Sequence, residues 1–285
     1  MLKKLTKEDA AYAAERCWAL FQDPRARCYP INTCREDMER SFAVFCDIES
    51  GTLLGYWSED QLAGVCELYF EQETRYLMVN ALYAWDDADT ALDAFLAYID
   101  DGYAGYEANV GAPPENTRLA GALTKHGYAM TETCFDLRYD AVSLTPEETT
   151  IQGISLLEDE EDDGFEEYAP LHDAWFPNDY WSSARMRELQ GDWQAFTLRG
   201  NSGIEGSLIV LPGHNAAEVY ALHAADEAMA QNLLTGMLQQ NETAEYGVDE
   251  IVLMVQTANE AQLHAALACG FTLFGQYTGW KKTIE

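Results

Sequence analysis

The chain has 285 residues, 48% of them hydrophobic and 12% aromatic, which suits two domains of roughly 140 residues and excludes a disordered protein. With 49 acidic against 17 basic residues the formal charge is −32, and with no basic tract to offset it nucleic acid and anionic lipid surfaces are excluded as partners. Seven scattered cysteines without a C-x-x-C, no apolar run of signal-peptide type and no membrane-length apolar window predict a cytosolic protein with no disulfide framework, no structural zinc and no metal site.

In chain order, the first predicted element is a helix over about Lys7–Phe21. Gln61–Phe70 reads as a strand after a turn, and Tyr76–Val79 as a second strand. Leu92, Phe95, Leu96 and Ile99 then fall at i, i+3, i+4 and i+7 of an amphipathic helix. A short strand over Tyr106–Val110 leads to Asn116, a helix-capping residue type, and the next helix ends at Gly127-Tyr128, which opens another β-rich stretch. A join rich in turn residues lies between about Asp140 and Ile151, giving halves 1–142 and 150–285. The six acids Glu158–Asp163 read as a solvated helix start, since six carboxylates without interleaved glycine do not form a calcium loop.

The second half repeats the first. A helix over about Glu166–Trp175 precedes strands at Gly203–Leu211 and Val219–Leu222, and Ala230, Leu233, Leu234, Met237 and Leu238 line one helix face. The strand Ile251–Val255 leads to Asn259, and Gly270-Phe271 closes the pattern. The Asn-to-Gly spacing is 11 in both halves, and the two copies of this segment are offset by 143. A duplicated α+β domain accounts for all of this.

The element order, with N-x10-G-[FY] at Asn116–Tyr128 and Asn259–Phe271, resembles the GNAT acyltransferase superfamily in a tandem, two-domain form. Leu171–Trp181 and Gly105–Asn116 add to the resemblance, which covers roughly 1–140 and 152–284. It implies two GNAT-like domains, each a mixed, mostly antiparallel sheet flanked by helices. It also implies an acetyl-CoA acyl donor whose pantetheine arm lies in the gap beside a splayed central strand. A Gly-rich loop at a helix start would hold the pyrophosphate, and a small amine would attack the thioester while a backbone N–H steadies the oxyanion.

The loops after the two central strands depart from that pattern. Asn80–Leu92 has no glycine and three aspartates, and His223–Gln231 has no glycine and two acids. Glycine is what lets backbone approach a pyrophosphate closely, and acids at a helix start repel it. The small Ala228 and Ala230 make the second half the better acyl-CoA binder, with Leu222, Ala228, Met229, Ala230 and Asn259 as its cofactor contacts. The family's thiolate-protonating Tyr is replaced by Leu123 and Ala266. His223 closes the second central strand and is the candidate general base, with Asn80 as its counterpart in the first copy. Arg118 and Lys125 are candidates for CoA phosphates, with ion pairing as the plainer reading. The aromatic groups around Tyr29-Pro30, Trp175–Pro177, Tyr180-Trp181 and Trp193, with Asp173, Asp179 and Asp192, would roof a site for a cationic amine. The expected function is N-acyl transfer to a small amine. The alternative is a non-catalytic binding or regulatory protein whose cofactor grooves have decayed, with Trp85 or Met229 plugging the slot.

Overall fold

The computed structural model describes residues 1–29, 34–142, 153–159, 164–177, 179–213, 215–243 and 248–285. Pro30, Asn178, most of the join and Glu160–Asp163 of the acidic run lie outside these residues. The elements run β1 (Leu2–Lys4), α1 (Lys7–Phe21), α2 (Arg35–Phe45), β2 (Gly51–Ser58), β3 (Gln61–Glu71), β4 (Tyr76–Ala84), α3 (Ala88–Gly102), β5 (Glu107–Ala112), α4 (Thr117–Lys125) and β6 (Ala129–Asp140). They continue as β7 (Ile154–Leu157), α5 (Phe165–Trp175), α6 (Ser183–Glu188), β8 (Gln194–Gly200), β9 (Gly203–Pro212), β10 (Ala216–His223), α7 (Glu227–Thr243), β11 (Glu250–Gln256), α8 (Glu260–Ala268) and β12 (Thr272–Thr283). No helix among the described residues is long and apolar enough to cross a membrane.

Two compact units form. The first comprises Met1–Cys134 with Gly275–Glu285, the second Phe135–Phe274. The sheet of the first runs β1-β2-β3-β4-β5-β12, and that of the second β6-β11-β10-β9-β8-β7. Each unit is therefore completed by the last strand of the other sequence half. In the first unit Thr278–Thr283 of β12 pairs antiparallel with β5, and Ile284 N–H bonds the Tyr106 carbonyl. The compact units thus differ in extent from the halves 1–142 and 150–285.

In the first unit α1 starts at a capping box, with Thr6 N–H donating to Asp9 Oδ2 at 3.0 Å. It buries Ala10, Ala13, Ala14, Cys17 and Phe21, one face at helical spacing. From Leu62 to Leu68, β3 is buried at every residue, so both of its faces are covered. In the second unit the inner strands alternate between two cores. Leu208, Val210 and Val219 pack with α7 and α8 residues, while Ile209 and Ala221 pack with Phe165, Tyr168 and Trp193.

Both units share one irregularity. β4 pairs parallel with β5 only from Tyr76 to Val79, and β10 with β11 only from Ala216 to Val219. Beyond those residues the strands part. At the parting point each central strand carries a bulge: the register against the preceding strand skips Asn80 in one unit and Tyr220 in the other. Each unit is thus a mixed sheet with a splayed central strand, between helices.

Candidate functional site

The bulges fix which residues correspond. Val79 matches Val219 and Ala81 matches Ala221, since each pair faces equivalent partners on β3 and β9. Tyr83 is therefore the counterpart of His223, and Asn80 that of Tyr220. This corrects the assignment of Asn80 to His223, which assumed that the 143-residue offset of the Asn–Gly segment holds along the whole copy. Along the central strand the offset is 140, from Val79 to Val219.

In the first unit the gap beside the splayed strand holds the chain itself. After α1, residues Arg27–Tyr29 run between β4 and β5. Tyr29 N–H donates to the Gly111 carbonyl at 2.8 Å, and the Asn116 amide Nδ2 donates to the Arg27 carbonyl at 2.8 Å. The Cys28 thiol donates to the Gly111 carbonyl at 3.3 Å and receives the Leu82 backbone N–H. Tyr83 Oη donates to the Cys28 carbonyl at 3.2 Å. Cys28 is fully buried, and burial pushes its thiol up to about 12. Gly111 permits the approach: a side chain there would run into Tyr29 and Tyr277.

The second unit carries counterparts of the Leu82 amide and of Asn116. Leu222 pairs with Leu208, yet its carbonyl accepts from Gln262 Nε2 at 2.8 Å, so its polar groups face the gap and not β9. Its N–H corresponds to the Leu82 N–H that meets Cys28. Asn259 caps α8 through Gln262 N–H at 3.2 Å, as Asn116 caps α4 through Leu119 N–H at 3.1 Å. Among the described residues no backbone hydrogen bond joins residues 175–182 to β11.

His223, half-buried at the end of β10, stacks on Trp175 with ring centroids 4.2 Å apart and planes 9° from parallel. Phe176 meets it edge-on at 6.4 Å. Burial holds the imidazole below its ordinary pKa of 6.5, so it is neutral and a proton acceptor at neutral pH. The aromatic segment above it is pinned at several points. Asp179 Oδ1 accepts from Tyr220 Oη at 2.7 Å and from Trp181 N–H at 3.1 Å. Asp173 takes the Ser183 N–H and hydroxyl at 2.8 and 2.6 Å. The buried His172 holds the Trp181 carbonyl through Nε2 at 2.5 Å, which fixes the proton on that nitrogen and leaves Nδ1 to accept from Tyr168 Oη at 3.1 Å.

At the loop after β10, Asp226 caps α7 by accepting Met229 N–H at 2.8 Å, and Met229 Sδ receives the Ala225 N–H at 3.4 Å. Ala228 is exposed, Met229 half-buried and Ala230 fully buried in the core. Of the helix's first donors, Glu227 and Ala228 N–H remain without an intrahelical acceptor. In the first unit Trp85 turns back on β3, its Nε1 donating to the Leu62 carbonyl at 2.9 Å, and so does not enter the gap. Arg118 pairs with Asp89 at 3.2 Å and Lys125 with Asp93 at 2.5 Å, the plainer of the two expectations for them.

Nothing in the residue pattern announces Glu67. It is 2% exposed on β3, both of its oxygens accept from Ser41 Oγ at 3.1 Å, and the Asn80 side chain also bonds it. Burial raises its pKa from the ordinary 4.5 to about 7.

No protein-family model and no curated protein sequence matches the chain. Among solved structures it is similar to a GCN5-related N-acetyltransferase from Sphaerobacter thermophilus, with a TM-score of 0.67 and 15% identity over 100% of this chain and 96% of that one. It is also similar to a tandem GNAT protein from the clavulanic acid biosynthesis pathway, with a TM-score of 0.61 and 13% identity over 99% and 98% of the two chains. At these identities the likeness establishes the fold, a tandem GNAT fold over the full chain.

Proposed function

We propose that the Phe135–Phe274 unit is an N-acyltransferase that passes an acyl group from a pantetheine thioester, acetyl-CoA being the family's donor, to a small amine. The observation that carries this reading is the gap beside β10. The first unit fills the same gap with a peptide, so the groups lining it accept an extended chain that carries amides, as pantetheine does with its two. Leu222 N–H, Asn259 Nδ2 and the carbonyl of Met254, the counterpart of Gly111, are the equivalent donors and acceptor. The thioester supplies an activated carbonyl whose C–S bond breaks as the amine C–N bond forms, the electron pair leaving on sulfur.

The chain's residues then have separable tasks. Leu222 N–H donates to the developing oxyanion. Asn259 Nδ2 donates to an amide carbonyl of the arm while its Oδ1 keeps the helix cap. His223, neutral at neutral pH, accepts the proton that the amine loses. Trp175 fixes the imidazole plane, and the strong negative charge of the body draws cationic amines toward it. Asp173 and Asp179, expected to bind the amine, are engaged in holding the roof segment.

The test is release of free thiol from acyl thioesters in the presence of a panel of primary amines. Turnover that is lost in His223→Ala and kept in Tyr83→Phe supports the reading. No thiol release and no calorimetric binding with any thioester overturns it, in favour of a non-catalytic binding protein.

A further inference from the structure

The slot and the loop beyond it make opposite demands on an acyl-CoA. The slot offers counterparts of the Leu82 N–H, the Asn116 amide and the Gly111 carbonyl that hold Arg27–Tyr29 in the first unit, with His223 in place of Tyr83. Of the backbone donors at the loop and helix start, only the Glu227 and Ala228 N–H groups are left for a diphosphate. No residue between His223 and Ala230 has a positive φ, so the backbone forms no anion-binding nest there. Ala225 N–H is spent on Met229 Sδ and Met229 N–H on the Asp226 carboxylate. Asp226 and Glu227 are exposed at the helix start, where their charge opposes phosphate.

Cations that could offset this are missing from the sequence itself. From Gly200 to Trp280 there is no Lys and no Arg, and the whole chain carries −32. The arginines of the second unit are committed elsewhere. Arg138 is bidentate to Asp136 at 2.6 and 3.0 Å and reaches Glu250 at 3.1 Å. Arg187 pairs with Glu166 and Arg199 with Glu167, both at 2.9 Å, and Arg185 bonds Tyr180.

We infer that the second unit recognises its donor through the acyl-pantetheine arm alone, the nucleotide of CoA adding no affinity, so that acyl-pantetheine thioesters lacking the nucleotide are its substrate class. The arm arrives free or on a carrier protein. The inference rests on the acyl-transfer reading, and its experiment separates the two. Calorimetry of the full-length protein compares pantetheine, CoA and 3′-phospho-ADP, and thiol release compares S-acetylpantetheine, acetyl-CoA and an acetyl-loaded carrier protein.

The expected result is pantetheine and CoA dissociation constants within about threefold, no heat from 3′-phospho-ADP, and S-acetylpantetheine used as well as acetyl-CoA. A carrier-protein substrate used faster than S-acetylpantetheine keeps the inference and identifies the source of the arm. CoA binding about a hundredfold tighter than pantetheine overturns it while leaving acyl transfer intact. No binding and no thiol release from any of them removes the acyl-transfer reading and the inference together. As a second arm, Asp226→Ser combined with Glu227→Gly frees the helix start. That variant is expected to tighten CoA about tenfold with pantetheine unchanged. Equal tightening of both ligands would count against the inference.

Discussion

In the first unit the strand beyond Val79 is met by the segment Arg27–Tyr29: Cys28 Sγ receives the Leu82 N–H and the Cys28 carbonyl accepts from Tyr83 Oη. In the second, the strand beyond Val219 is met by side chains, Gln262 on the Leu222 carbonyl and Trp175 against His223. The two gaps share their bulge, their parting point and their capping asparagine. They differ in occupant and in the residue that ends the central strand, a fully buried Tyr83 against a half-buried His223. A splayed strand is a set of unpaired amides that something must satisfy. One copy of the duplication satisfies them with its own Arg27–Tyr29 segment, and in the other the proposed acyl donor takes that place.

Removing the exchanged strand tests that comparison most severely. Ending the chain at Phe274 strips β5 of its antiparallel partner and removes Lys281–Glu107 at 2.8 Å and Lys282–Asp100 at 2.5 Å. The first unit is expected to unfold while the second stays folded, read as proteolysis or rapid hydrogen exchange confined to Met1–Cys134. Uniform protection of the truncated chain would show that β12 is dispensable.

His223→Ala is expected to lower kcat by about 10²–10³, whereas Tyr83→Phe changes it less than about twofold. Because burial holds the imidazole pKa below 6.5, the wild-type rate persists through pH 6.5 and falls only below it. A rate that rises on acidification would remove His223 as the base.

Glu67 sharpens the comparison from the other side, since its counterpart opposite Ala221 is Ile209. Its folded pKa of about 7 lies above the ordinary 4.5, so the unfolded chain ionises first as pH rises. The first unit therefore loses stability between about pH 4.5 and pH 7, on the order of 3 kcal/mol in all, with no counterpart from Ile209 in the second. Ser41, Asn80 and the nearby Cys17, Cys46 and Cys66 supply no cation to reverse this. Thermal melts of Glu67→Gln are expected to flatten the pH dependence over that range.

The smallest effect comes from the paired asparagines. Asn116→Ala loses a cap and the hydrogen bond to the half-buried Arg27 carbonyl, about 1–2 kcal/mol of stability, with donor binding unaffected. Asn259→Ala costs about 1 kcal/mol for its cap and weakens pantetheine binding about tenfold. Identical behaviour of the two variants would contradict the different occupants assigned to the two gaps.

Much of the fold was readable from residue pattern alone. The Asn–Gly segments mark α4 and α8, and the apolar face from Leu92 to Ile99 marks α3. The short strands β1 and β7 and the helix α6, with three to six residues each, carry too little periodicity to declare themselves. The site was less readable. The offset changes from 140 to 143 within the copy, and α7, with 17 residues, is longer than α3, with 15, so counting back from the asparagines misplaced the partner of His223. The plug at Arg27–Tyr29 has no local signal, because occupancy of a gap is a tertiary property. Its trace is Gly111, a glycine inside a strand where another backbone comes close.

The exchange of final strands also has a consequence in time. A ribosome delivers Cys134 well before Gly275, and at about 5–20 residues per second the interval is roughly 7–28 s. Throughout it the first unit has its core residues but an open β5 edge, a template for any passing strand. The second unit has every residue it needs once Phe274 is made, before the first has any of its closing segment Gly275–Glu285. The half that is synthesised first is thus the last to be sealed, and its sealing waits on the synthesis of Thr278–Thr283.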